Sequence, residues 1–185
     1  MGSAALVGGR WAEPGLGEWD VRALVGHTSR SLLTVEAYLA RPADAVELGS
    51  AVAYFRATSA MAAGAAVAER GREAGVALGA DPAASVADIA DRVLALVRSA
   101  DGGEQVTTIA GGMRLADYLP TRTFELTVHT ADLATALGVP ADVPATAAAQ
   151  ALRLVAGLAV SDGLAGPLLL ALTGRSGLPA GFSVL

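Results

Sequence analysis

With 185 residues, 53% of them hydrophobic but only 4% aromatic, and a formal charge of -5, the chain is long enough for one substantial core and has no basic cluster that would neutralise a phosphate backbone. Nucleic acid is therefore not an expected partner. Cysteine is absent and all 13 basic residues are arginine, which excludes disulfides, thiolate ligands, a protein-borne thiol nucleophile and Schiff-base lysine chemistry. Any sulfur chemistry must use a bound thiol.

Residues 1–18 read as a Gly-rich arm ending in Pro14, Gly15 and Gly17, with Trp11 available to anchor it. Asp20 caps a helix predicted from Val21 to about Ala40, closed by Pro42, with Trp19 packing its start as a hydrophobic staple. Val21, Leu24, Val25, Thr28, Leu32, Val35 and Leu39 form its seam. His27 lies at the seam's edge with Ser31 and Tyr38, placed to turn either into a bundle interior or out along its rim. From Asp44 to about Leu78 an Ala-rich helical stretch follows, with a break or kink expected near Gly49 or Gly64, and with Tyr54 and Phe55 as its only aromatics.

Gly79 and Pro82 mark a turn. Ser85 and Asp88 then resemble a capping box for a helix through about Ser99. Gln105 to Ile109 alternates in β-branched fashion and is followed by Gly111 and Gly112, so a short hairpin or irregular insertion is expected up to Pro120. Next comes the stretch on which the chain turns, TRTFELTVHTADLATALG, from Thr121 to Gly138. Past the Pro140 to Pro144 loop, Ala145 to about Val160 is a predicted helix whose only charge is Arg153. The tail from Gly163 mixes an apolar run with Gly and Pro turns. Arg153, Asp162 and Pro167 interrupt the most apolar region, so no membrane span is expected, and with no N-terminal leader pattern the expected location is cytoplasmic. The expected organisation is a single domain over residues 1–185, with an arm (1–18), a core (19–138) and a C-terminal helix and tail (139–185). Its class is all-α, an antiparallel helical bundle with a small insertion before its key helix.

On that key helix, at about 100° per residue, Arg122, Glu125, His129 and Asp132 share one stripe, while Thr123, Thr127, Thr130 and Ala134 lie opposite. Leu126, Leu133 and Leu137 flank the stripe on one edge, Phe124 and Val128 on the other. The most hydrophilic residues thus sit in the middle of the face that should be buried. A buried carboxylate and imidazole need partners, and a metal ion held by Glu125 and His129, one turn apart, is an economical one. With only two histidines in the chain, a nitrogen-rich ligand set requires His27 as well. Two nitrogens and a carboxylate oxygen leave a coordination position open, as in catalytic sites. The alternative is that Glu125 pairs with Arg122, that His129 donates to a backbone carbonyl and that His27 is a satisfied rim residue. Asp132 stands either as the acceptor for the second ring N–H of His129 or as a surface carboxylate. Arg122 and Arg30 stand either as binders of an acidic substrate group or as ion-pair partners of Glu125 and Glu36.

The run PGLGEWDVRALVGHTSR, containing W-x-V-R-x-L-x-x-H, and the downstream RTFELTVHTADLATALG, containing E-x-x-x-H, resemble the N-terminal domain of mycothiol-dependent maleylpyruvate isomerases, within the DinB-like metal-binding superfamily. The resemblance spans roughly Trp11 to Gly138. It implies a DinB-like four-helix bundle whose divalent metal, commonly zinc, is held by His27, Glu125 and His129, with mycothiol or another low-molecular-weight thiol as cofactor. It implies an isomerase or thiol transferase acting on a small, maleylpyruvate-like electrophile, in which Arg122, Arg30 and Asp132 serve the substrate or the ligands. A non-catalytic metal- or small-ligand-binding bundle is the other function carried forward. Two departures stand out: only a short arm precedes the W-x-V-R piece where the family has a helix, and no separate C-terminal domain is expected. The missing helix leaves completion of the bundle to Ala145–Val160 or to a partner chain, and a homodimer is one way to supply it.

Overall fold

In the computed structural model, which describes residues 7–59 and 65–185, the chain is mostly helical. Among the described residues there are seven helices and one small two-stranded sheet. They are α1 (Val21–Leu39), α2 (Ala51–Thr58), α3 (Ala65–Ala77), α4 (Pro82–Ser99), β1 (Gln105–Thr108), β2 (Gly111–Arg114), α5 (Leu115–Ala136), α6 (Ala145–Ser161) and α7 (Ala165–Leu172). No helix among the described residues is long and apolar enough to cross a membrane.

Helix α1 is the hub, packing against α3, α4 and α5. Its start follows from the sequence: the Asp20 side chain accepts a hydrogen bond from the Ala23 N–H at 2.7 Å, satisfying one of the donors that a helix start leaves open. Leu24, Leu32 and Val35 point inward as the 3.6-residue period requires. So do Gly26 and Ser29. Gly26 is needed because α1 and α3 touch backbone to backbone: a Cβ there would collide with the Gly75 main chain.

Three apolar clusters divide the interior. Leu32, Val35 and Tyr38 of α1 meet Tyr54 of α2, Val93 of α4, Val106 and Met113 of the hairpin, and Leu115 and Tyr118 of α5. Val21, Leu24 and Val25 join Val7, Leu78, Val86, Leu133 and Leu137 at the other end. Phe124 of α5 packs on Ala151, Leu154 and Leu158 of α6, so this C-terminal helix lies on α5 and α2 and leaves α1 to the earlier helices.

The hairpin expected before the key helix is present, antiparallel, with Val106 opposite Met113. The connection after α1 fastens it: Ala43 N donates to Gln105 O at 3.0 Å and Thr107 N to Arg41 O at 2.7 Å.

Four local expectations change. Residues 44–50 are not helical; Gly49 lies ahead of α2, which starts at a Ser50 cap, while Gly64 lies outside the described residues. The cap of α4 is Asp81 with Pro82 in the first turn, not Ser85, whose hydroxyl instead donates to Leu78 O at 2.7 Å. Helix α5 starts at Leu115 and runs through Pro120, six residues before the predicted start. The proline removes one backbone donor, but Leu115, Tyr118 and Thr121 are fully buried and hold that turn in place. Finally, the apolar tail run folds as α7, which packs on α6.

Candidate metal centre

His27 and the Glu125–His129 pair reach one point because α1 and α5 lie side by side. The spacing of four residues puts Glu125 and His129 on successive turns of α5, and their side chains meet, His129 Nε2 to Glu125 Oε2 at 3.1 Å. His27 enters from α1 with its ring centroid 4.8 Å from that of His129, nearly edge-on at 81°. One ligand atom from each of the three residues lies within 4.8 Å of the other two. For zinc, with bonds of about 2.0–2.2 Å and tetrahedral angles, ligand atoms stand about 3.4 Å apart, so at its widest this set would draw in by about 1.4 Å to hold the ion.

The donor chemistry fits a divalent ion. His27 Nδ1 is buried with no hydrogen-bond partner among the described residues, a state that is costly for an imidazole nitrogen unless an ion or bound molecule takes it. Burial and the neighbouring His129 hold the His27 pKa down at about 4, so this ring is neutral and one of its nitrogens has a lone pair for a metal at physiological pH. Burial also weighs against charge on His129, but its hydrogen bonds to Glu125 and Asp132 outweigh it and raise its pKa. For Glu125 burial pushes the carboxyl up, while His129, Arg122 and His27 together pull it below the ordinary value. Asp132 Oδ2 sits 3.0 Å from His129 Nδ1, which fixes the ring so that Nε2 faces Glu125.

The two arginines singled out in the sequence flank this cluster. Neither forms an ion pair among the described residues: Glu125 meets His129, and Glu36 is taken by Arg92 at 2.7 Å. Arg122 lies instead over a pair of aromatic rings, with its guanidinium carbon 5.0 Å from the Tyr118 centroid and 5.6 Å from that of Tyr54. Its Nε donates to Thr121 Oγ1 at 2.9 Å. Arg30, half-buried on α1, is close enough for its charge to act on His27. A guanidinium can hold a carboxylate by paired N–H donors.

Trp19 has a larger role than a staple at the start of α1. Its ring stacks on His27 with centroids 4.4 Å apart, and its N–H donates to Ala68 O of α3 at 2.8 Å. Gly71 makes room for it: a Cβ there would stand 2.6 Å from Trp19 Nε1. Sequence reasoning missed this contact because Ala68 and Gly71 of α3, far away in the chain, hold the Trp19 ring, and it missed Tyr118 beside Arg122 because the residues ahead of Thr121 read as an insertion and not as helix. The only local signal was the scarcity of aromatics, which makes each one present worth tracing.

Compared with known families, residues 4–134 match the model of the mycothiol maleylpyruvate isomerase N-terminal domain. The matched span holds α1 to α5 up to Ala134, and with them all three candidate ligands. No curated protein and no solved structure matches the chain.

Proposed function

The chain belongs to the mycothiol maleylpyruvate isomerase N-terminal domain family, and from that premise we propose that it binds a divalent metal through His27, Glu125 and His129 and uses a low-molecular-weight thiol, mycothiol foremost, to act on a small carboxylate-bearing electrophile. In this reading α1 to α5 form a DinB-like bundle around the ion. Zinc is the expected metal, although the donor set also accepts nickel, iron or manganese. The observation that carries the proposal is the convergence of three ligand atoms within 4.8 Å, one of the residues bearing a buried and otherwise unpartnered nitrogen.

A bound divalent ion lowers the pKa of a coordinated thiol, so that it is a thiolate near neutral pH. This chain contributes no cysteine of its own, so the sulfur comes from the cofactor. Arg122, held over the Tyr118 and Tyr54 rings, orients a substrate carboxylate by paired N–H donors, and Arg30 adds positive charge from α1. Asp132 keeps His129 in the ligating orientation. Bound there, the thiol would supply the nucleophile that adds to and then leaves an activated double bond in an isomerisation, or that displaces a leaving group in a transfer, while Arg122 and Arg30 hold the substrate carboxylate.

The test is turnover of maleylpyruvate, and of a panel of small electrophiles, with mycothiol present and absent. Thiol-dependent turnover in the metal-replete protein, abolished by His129→Ala and raised in KM by Arg122→Met, supports the proposal. Stoichiometric metal without thiol-dependent turnover across the panel favours the non-catalytic binding bundle instead.

A further inference from the structure

The Thr side of α5, opposite Glu125 and His129, is not a plain outer surface. It walls a cavity of about 540 Å³ whose other sides are α1, the start of α4 and the 139–144 loop. That volume is in the range of small-molecule sites. None of the three candidate ligands lines it, so it is distinct from the metal centre.

Its chemistry is specific in two respects. The first is charge. Among the described residues the lining contains no arginine, and the exposed Asp142 is its only ionisable residue, so an anionic ligand would enter without a counter-charge and at a desolvation cost. The second is the state of its hydroxyls. Thr28 donates to Leu24 O at 2.7 Å, Ser29 to Val25 O at 2.8 Å, Thr127 to Thr123 O at 2.7 Å and Thr123 to Leu119 O at 3.3 Å. Each has spent its proton on its own helix and offers a ligand only lone pairs. Thr130 differs, since its hydroxyl has no bond to another residue among the described residues and can both donate and accept. The remaining walls are apolar, among them Val25, Leu32, Val86 and Leu126.

We propose that this cavity is a second binding site, for an uncharged, largely apolar small molecule carrying an N–H or O–H donor. The hydroxyl lone pairs accept from that donor, and the aliphatic walls cover the rest. The acidic reactants of the metal centre are excluded from it by charge.

N-phenyl-1-naphthylamine, uncharged with one N–H, brightens on transfer to an apolar site and serves as the probe. With the metal-loaded full chain, saturable one-to-one binding is expected. The analogue 8-anilinonaphthalene-1-sulfonate, the same ring system with an anionic group, should bind at least tenfold more weakly. Thr127→Phe, which fills the cavity from α5, should weaken the neutral probe at least tenfold while helical circular dichroism and metal content stay unchanged. If that variant does not fold, Ala147→Trp fills the cavity from α6 without touching the ligand-bearing helix. Absence of saturable binding, equal affinity for the sulfonate, or unaltered affinity in a folded filled variant would overturn the proposal.

Discussion

Replacing His27 by phenylalanine separates the packing role of this residue from its proposed ligand role, because the two predict opposite changes. Phenylalanine keeps a ring against Trp19, now 4.4 Å from His27, and against the edge of His129. It removes the buried Nδ1 that has no partner. Leaving a buried polar group unsatisfied costs about 1–3 kcal/mol. Without metal the variant should therefore be as stable as the parent or more stable, by up to about 1 kcal/mol once imperfect ring fit is allowed for. For a chain of this size that is a rise in Tm of about 2–4 °C. With metal the order reverses. A ligand at a hundred times its Kd stabilises the folded state by about 2.7 kcal/mol, or about 5–10 °C in Tm. The parent should show that gain and His27→Phe should lose nearly all of it. Thermal melts followed by circular dichroism, in chelator and in excess zinc, read both quantities. A variant that keeps the full zinc-dependent rise, or that loses more than about 2 kcal/mol in chelator, would refute the reasoning.

Four further outcomes are expected. Asp132→Asn, which exchanges the carboxylate beside His129 Nδ1 for an amide, should weaken metal affinity about 10–100-fold in a competitive chelator titration while leaving the fold intact. Metal affinity should fall as pH falls. His129 has a raised pKa and must give up its proton to ligate, whereas His27, held at about 4, competes for a proton only in strong acid. Calorimetry in two buffers of different ionisation enthalpy should register net proton release on binding below the raised His129 pKa. For the metal-free protein the signs are opposite: the His27 contribution to stability is complete above about pH 6.5 and is lost as pH falls towards 4, while that of His129 is present below about 6.5 and is lost as pH rises through its folded value. Gly71→Ala forces a Cβ against the Trp19 ring, at 2.6 Å from its Nε1. It should destabilise the protein by about 1–3 kcal/mol in chemical denaturation and lower metal affinity along with it.

Much of the arrangement was legible in the sequence where a local rule governs it. Asp20 as a cap, the inward period of α1 and the hairpin before α5 each depend on a few adjacent residues. The candidate ligands were legible for a different reason. Two histidines and a misplaced carboxylate on amphipathic helices leave few ways to satisfy them, and helical spacing alone puts Glu125 beside His129.

The rest depended on tertiary contacts that override local preference. Pro120 reads as a boundary, yet burial of Tyr118 and Thr121 carries the helix through it. Ser85 reads as a cap, but Asp81 occupies that place and frees the Ser85 hydroxyl for Leu78. The Thr face of α5 reads as a mild exterior, and only the placement of α4, the 139–144 loop and α6 turns it into a cavity wall. The ring pair under Arg122 comes from α2 and from the first turns of α5 that Pro120 had concealed.

The most direct measurement is anomalous X-ray scattering from crystals of the purified protein, recorded on both sides of the zinc, nickel, iron and manganese absorption edges. The account predicts one strong anomalous peak bonded to His27, Glu125 and His129, with its edge identifying the ion. A metal-replete crystal whose density between these three side chains shows no such peak, or places the ion elsewhere, would contradict it.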